Sequence, residues 1–271
     1  MIYGCQSQTS TVVVSGKTFF AFNMHKESTM HLIVIRKQRD NDTPQVSELV
    51  RNAYASNISN MFLGYVFNEV TFQITMIFIA LEFIFFQIRL FVCFLTVPLI
   101  LLLIYVCIYG AVTMKSAQVM YEKKPIISWV AEVYEPFFQA TDQKSRYKII
   151  DDQQLEDMKE KPQGRKQIIG TVAVMRHFQN PDWAWLFRVV TDERYRRKGV
   201  AFNLINTARD WCRNHQINRL ELAMSEYNQG ARQLFDRAGF QVQQLYHKEL
   251  LTKAYMLQMY HLSAEVRPTF S

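Results

Sequence analysis

The stretch from Phe72 to Met114, FQITMIFIALEFIFFQIRLFVCFLTVPLILLLIYVCIYGAVTM, constrains this chain more than any other. Leu90–Met114 alone gives about 25 residues without a charge, enough to cross a hydrocarbon layer of about 30 Å. The arm before it is nearly as apolar but carries Glu82, Gln87 and Arg89. A helix in a soluble core keeps a polar face, and this run has almost none, so it is expected in a membrane. Two geometries fit the composition. A single span over Leu90–Met114 puts the flanks on opposite sides. A hairpin with arms of about 20 residues, bent between Arg89 and Pro98, returns the chain to the side it left. Pro98 lacks an N–H and disfavours helix in the residue before it, which suits a bend and equally a kink inside one span.

The flanks read as an α/β domain. Before the run, HLIVIR is a strand, and DNDTPQVSELVRNAYASN follows as an amphipathic helix. Asp42 or Thr43 serves as its N-cap, Pro44 suits its first turn, and Val46, Leu49, Val50 and Tyr54 form its apolar stripe. After the run, PIISWVAEV (125–133), QIIGTVAVMRH (167–177) and WAWLFRVVT (183–191) are β-branched and strand-like. Residues 134–166 are polar and weakly patterned, a long excursion expected to lie over the acceptor side of any site or to be simply solvated. A helix follows Gly199, with Val200, Leu204, Ala208, Trp211 and Cys212 on one side. RLELAM (219–224) is a strand, NQGARQLFDRAGF a short helix closed by Gly239, and QVQQLYHKE with AYMLQMYHL a final antiparallel pair.

Charge narrows the function. The chain carries a net charge of +7, which favours acidic partners. The basic residues gather in RYRRKGVA (Arg194–Ala201), at the start of the helix after Gly199. A helix start offers free N–H groups and a partial positive charge, and Gly199 lets backbone approach a ligand closely. The N–H groups of Lys198, Gly199, Val200 and Ala201 are therefore expected to form a phosphate nest, with Arg196, Arg197 and Lys198 adding attraction. A Gly-Lys-Ser/Thr loop is missing, and so is a dinucleotide glycine fingerprint. Nucleic acid is not expected, since Tyr195 is the only aromatic residue in the cluster. Cys5, Cys93, Cys107 and Cys212 are scattered without metal-ligand spacing, so thiols in a reducing compartment and no metal are expected.

The combination of FRVVTDERYRRKGVA, YNQGARQLFDRAGF and this element order resembles the GNAT superfamily of N-acetyltransferases. More narrowly it is similar to the membrane-anchored camello-like (N-acetyltransferase 8-like) branch, with a closing Tyr260-His261-Leu262. The resemblance implies an α/β GNAT acyltransferase fold, a mixed sheet flanked by helices and interrupted by a membrane hairpin. The chain then divides into a disordered extension (1–30), first strand and helix (31–71), hairpin (72–114), remainder of the domain (115–262) and tail (263–271). It implies acetyl-CoA as acetyl donor and an amine as acceptor, either a small amino compound or a protein lysine or N-terminus. Lys198, Gly199, Val200 and Ala201 would hold the pyrophosphate beside Arg196 and Arg197, and Val189, Val190 and Thr191 the pantetheine arm. A bulge N–H near Val190 would stabilise the oxyanion. Asn228 matches a cofactor-side asparagine and equally suits the N-cap of the next helix.

Phe235 departs from the family, many members of which have a tyrosine there to protonate the leaving thiolate; Tyr227 or Tyr246 are substitutes. This departure motivates a second expectation, an acetyl-CoA-binding membrane protein with impaired turnover. The general base is unassigned, with Glu221 and Glu226 near the right strand end but expected to be exposed. One sheet cannot have its first strand across a bilayer from the rest, so the resemblance selects the hairpin. Lys115, Lys123 and Lys124 follow the run, whereas residues 52–71 hold no Lys or Arg. The domain is therefore expected on the cytosolic face, at the endoplasmic reticulum.

Overall fold

The computed structural model describes residues 30–87, 89, 92, 94–135, 146–158, 164–249 and 256–266. Of the extension expected over residues 1–30, residues 1–29 lie outside them, and Met30 opens β1. β1 (Met30–Lys37) leads through a short 3-10 turn to α1 (Thr43–Ala55), α2 (Ile58–Val66), α3 (Glu69–Phe86) and α4 (Thr96–Tyr121). Then come β2 (Ile127–Glu135), β3 (Arg146–Asp151), α5 (Asp152–Glu156), β4 (Arg165–Arg176) and β5 (Trp183–Thr191). α6 (Val200–Asn214), β6 (Arg219–Ser225), α7 (Gln229–Arg237), β7 (Gln241–Glu249) and β8 (Met256–Glu265) complete the chain.

The strands form one mixed sheet in the order β3-β1-β2-β4-β5-β6-β8-β7. β1 pairs with β3 and β5 with β6 in parallel; the other pairs are antiparallel. Because side chains alternate along a strand, each face of the sheet buries its own set. Ile33, Ile35, Val172, Val174, Leu186, Leu220, Leu222 and Leu262 meet the stripe of α6 formed by Val200, Leu204, Ala208 and Cys212. On the other face, Val46, Leu49 and Val50 of α1 and Met120 of α4 cover Val130, Ile168 and Val190. Asp42 precedes α1 and Pro44 lies in its first turn, while the buried Val46, Leu49 and Val50 show why its spacing is helical.

Residues 134–166 are not a plain excursion. Tyr147, Ile149 and Ile150 give β3 enough apolar surface to join the edge of the sheet beside β1, and α5 packs behind it. This stretch lies near the start of α6, with Tyr147 beside Tyr195. β8 extends through Ser263–Glu265, residues that the sequence assigns to a tail, because Ser263 and Ala264 continue the ladder with β6.

Among the described residues the apolar run contributes to α3 and α4. α3 closes on Gln87, which has a left-handed backbone (φ 50°), and α4 opens at Thr96. Pro98 is therefore not the bend; it sits in the first turn of α4, where its missing N–H costs nothing. Among the described residues, α4 is the one helix that is by itself long and apolar enough to cross a membrane. α3 meets that test only jointly with the helices before it, from which it bends by 62°. Ile108, Val112, Val119 and Met120 of α4 are buried against the domain, whereas Leu99, Leu102, Leu103 and Val106 are exposed.

Candidate active site

β5 and β6 separate. Their parallel pairing covers Trp183–Arg219, Ala184–Leu220 and Trp185–Glu221, and no pairing continues beyond Trp185 among the described residues. β5 runs on beside β4 while β6 runs on beside β8, so a fork opens between them. Strand backbone facing a fork keeps its N–H and C=O groups free for a ligand. Asp192 N–H donates to Ile169 O on the β4 side, and alternation therefore turns the Thr191 N–H toward the fork. The Thr191 hydroxyl is also buried there without a partner.

The fork-side strand is bulged. Thr171 faces Val190 and Ala173 faces Phe187, so Arg188 and Val189 together oppose Val172. Arg188 takes a positive φ of 56°, unusual for a residue with a long side chain. A bulge of this kind redirects backbone groups that a regular ladder would pair. Val189, Val190 and Thr191 thus lie along one side of the fork, beside the bulge.

The basic motif lies where β5 leaves the sheet. Asp192 caps a 3-10 turn (Glu193–Tyr195) by accepting from Arg194 N at 3.0 Å. Buried Tyr195 donates its hydroxyl to Glu135 and sets its ring edge against Tyr147. Burial, with the Glu135 hydrogen bond, raises the Tyr195 pKa well above the ordinary phenol value, keeping it a donor. Arg197 (φ 62°) and Gly199 (φ 83°) then turn the chain into α6, with Gly199 as its N-cap. The helix seats closely on the sheet at Gly170, where a Cβ would come within 3.0 Å of Leu204 Cδ1. Lys198 and the N-cap Gly199 therefore lead into the first turn of α6, which Val200 and Ala201 open, beside the end of β5.

The three cations differ. Arg196 bridges to Glu193 at 3.1 Å and Ser56 Oγ at 3.2 Å. Lys198 donates to Tyr147 Oη at 2.7 Å and lies over the Tyr147 and Tyr195 rings. Arg197 is exposed and forms no ion pair among the described residues. Asn228 accepts from Ala231 N at 3.3 Å, the N-cap bond of α7.

A polar cluster occupies the closed end of the fork, on the face covered by α1 and α4. Glu221 is only 2 % exposed, contrary to the sequence expectation of a surface glutamate. His261 Nε2 lies 2.9 Å from Glu221 Oε2, and His177 Nε2 lies 3.3 Å from the same oxygen. Arg219 Nε is 3.0 Å from Glu221 Oε1 but poorly aligned for a hydrogen bond, so it acts mainly as a compensating charge. His177 Nδ1 accepts from Gln179 N and Asn180 N, which puts its proton on Nε2, toward Glu221. His261 stacks on Trp185, the last paired residue of β5. Beside them, Lys123, Met175, Arg176, His177, Phe178 and Trp185 line a cleft of about 180 Å³.

Phe235 is 5 % exposed, with its ring edge-on to Phe240 in the core. It has no hydroxyl to offer a leaving thiolate. Tyr227 packs against Gly64 and Tyr65 of α2, and burial raises its pKa and that of Tyr246. Among the described residues no group of three His, Cys, Asp or Glu side chains forms a metal site.

Residues 125–240 match the model of the acetyltransferase (GNAT) family. No curated protein sequence matches the chain. Solved structures with some likeness include a GNAT-family acetyltransferase from Streptococcus pneumoniae, at 16% identity over 59% of this chain and 77% of that chain, with TM-score 0.36. Others are IAA acetyltransferase from Bacillus cereus (14%, 51% and 77%, TM-score 0.34) and ribosomal-protein-S18-alanine N-acetyltransferase from Escherichia coli (13%, 57% and 76%, TM-score 0.36). The match over residues 125–240 takes in β2 through α7, hence the fork, the bulge and the basic turn. Residues 125–240 are thus similar to the GNAT acetyltransferase family, and the mixed sheet has the GNAT fold.

Proposed function

We propose that this chain is an acetyl-CoA-dependent N-acetyltransferase of the camello-like branch, anchored by α3 and α4 in a membrane of the endoplasmic reticulum with its domain in the cytosol. The observation that carries the activity is the fork between β5 and β6, with a bulge on one side and a glycine-started helix at its mouth. An extended pantetheine arm suits the unpaired edge of Val189–Thr191. The backbone amides of Lys198–Ala201, with Arg196 and Arg197 beside them, suit a pyrophosphate. Asn228 stands near the same ligand while capping α7.

The reaction follows from these groups. The amine nitrogen attacks the thioester carbonyl carbon, and the carbonyl electron pair moves onto oxygen as an oxyanion held by a bulge N–H near Val190. Glu221 holds the Nε2 proton of His261, leaving Nδ1 as the basic lone pair that takes the amine proton. Collapse of the intermediate re-forms the carbonyl and expels the coenzyme A thiolate. With an ordinary thiol pKa of about 8.5, that thiolate leaves without a strong acid, consistent with a phenylalanine at position 235. The same absence motivates a second reading, a binder of acetyl-CoA that turns over poorly.

Coenzyme A release by purified protein, measured across small amines, peptides with free N-termini and lysine peptides, separates the two. The enzyme reading expects release with at least one amine class, reduced about 100-fold or more in His261→Ala. Tight acetyl-CoA binding without release from any class would support the second reading. For the membrane, β1 lies between β2 and β3, so both flanks of the apolar helices share one sheet. Glycosylation acceptors engineered at the N-terminal end and after Val266 should both stay unmodified in microsomes. Modification of only one would contradict the hairpin.

A further inference from the structure

The end of the apolar helix α4 and the bulge of β5 meet at one side chain. Arg188, 7 % exposed, projects from the bulge to the carboxyl end of α4. Its Nε donates to Val119 O at 3.3 Å, and its Nη2 donates to Met120 O at 3.3 Å and Lys123 O at 3.4 Å. Val119 and Met120 lie in the last turn of α4, where carbonyls have no partner within the helix and a cation is favoured. The neighbours of Arg188 touch the same turn. Phe187 packs on Val119 and Val190 on Met120. The helix end is thus fastened to the bulge at Phe187, Arg188 and Val190, and Arg188 carries the positive φ of 56°.

We infer that Arg188 is a positioning residue: it locks the oxyanion-side bulge to the last turn of α4, so the seating of the apolar helix sets the geometry of acyl transfer. A positive φ at an arginine persists only where surroundings over-determine it, and three carbonyls that need a donor supply that hold. The inference rests on the proposed acetyltransfer for its catalytic consequence, but the coupling itself concerns only the chain's own backbone. An axial shift of α4 then moves the acceptors of Arg188, and with them the N–H groups of Val189 and Val190. Ordinary core packing between a helix and a sheet does not have this consequence.

The test compares Arg188→Met and Arg188→Lys with the parent protein, all purified with the apolar helices present. Hydrogen exchange is followed in two peptides, one covering 115–124 and one covering 186–192. In Arg188→Met both segments should lose protection together, with β2 and β6 unchanged. The turnover number should fall about 10- to 100-fold while the KM for acetyl-CoA stays within about twofold, since the pyrophosphate site is untouched. Arg188→Lys, keeping a charge but spanning fewer carbonyls, should recover part of both effects. If the 115–124 segment frays while 186–192 keeps parental protection, the coupling is absent and the inference falls. The same holds if both segments keep it. Should Arg188→Met fail to fold, Arg188→Lys and Arg188→Gln are read by the same two peptides. An absence of turnover in the parent protein would count against the proposed activity and leave the exchange result to decide the coupling.

Discussion

Two arginine clusters on one sheet are built in opposite ways. Arg36 is buried and its guanidinium is tied to internal partners: it pairs with Asp42 at 2.6 and 3.1 Å, with Glu132 at 3.0 Å and with the Lys37 carbonyl. Arg196 and Arg197 are exposed and Lys198 half-buried; the stretch through Gly199 has two positive φ values and leaves Arg197 without an ion pair among the described residues. The first cluster is buried and its charges are compensated from within. The second sits where helix N–H groups are free and a fork opens beside it. A cation whose partners are all internal serves the fold, whereas the exposed cations at the helix start suit the anion proposed above.

Breaking the closed cluster should have the largest effect. Arg36→Met leaves two buried carboxylates unpaired and should cost about 3–5 kcal/mol of stability, read from urea unfolding. Acid should erode the same cluster. Burial pushes the Asp42 pKa up, but the hydrogen bonds from Arg36 and the Arg39 amide pull it down further, to a net value below the ordinary one. A carboxylate with a depressed folded pKa stabilises the fold above its unfolded pKa of about 3.9, and that contribution disappears as pH falls through the folded value. The stability gap between parent and Asp42→Asn should therefore be constant above about pH 5 and close below it.

The open cluster should behave differently. Arg197→Gln should leave stability unchanged within about 0.5 kcal/mol. It should weaken acetyl-CoA binding only a few-fold, and that loss should fade at high salt because exposed charges are screened over about 10 Å. A large stability change in Arg197→Gln would erase the contrast between the clusters.

How much of this was legible in the sequence depends on range. β2, β4 and β5 declare themselves through runs such as Val172, Ala173 and Val174, and α1 through Pro44 and its stripe, because those signals are local. The turn at Arg196–Ala201 was legible for the same reason, since a glycine and a helix start are adjacent in sequence. β3 was not, because Arg146–Asp151 shows little alternation and gains its strand from parallel pairing with β1 across a distant connection. Glu221 looked exposed because its histidines come from the end of β4 and from β8, and no local pattern announces that meeting. His261 stood in the quoted Tyr-His-Leu, yet its role needs Glu221 beside it. Arg188 read as one residue of a strand; neither its positive φ nor its grip on α4, from a helix end 68 residues away in sequence, has a local signature.

The proposed role of the turn before α6 is to hold the pyrophosphate of acetyl-CoA, and Gly199 tests it most directly. A Cβ there would meet only Asn203 Nδ2 at 3.7 Å and Ile149 Cδ1 at 3.9 Å, so space is not the obstacle, but φ is 83°. Asparagine tolerates that left-handed backbone better than most residues, so Gly199→Asn controls for conformation while Gly199→Glu adds a negative charge at the nest. Acetyl-CoA affinity measured by calorimetry on folded protein should fall about 100-fold or more in Gly199→Glu, and much less in Gly199→Asn. Parental affinity in a folded Gly199→Glu protein would contradict the assignment of this turn to the acetyl donor.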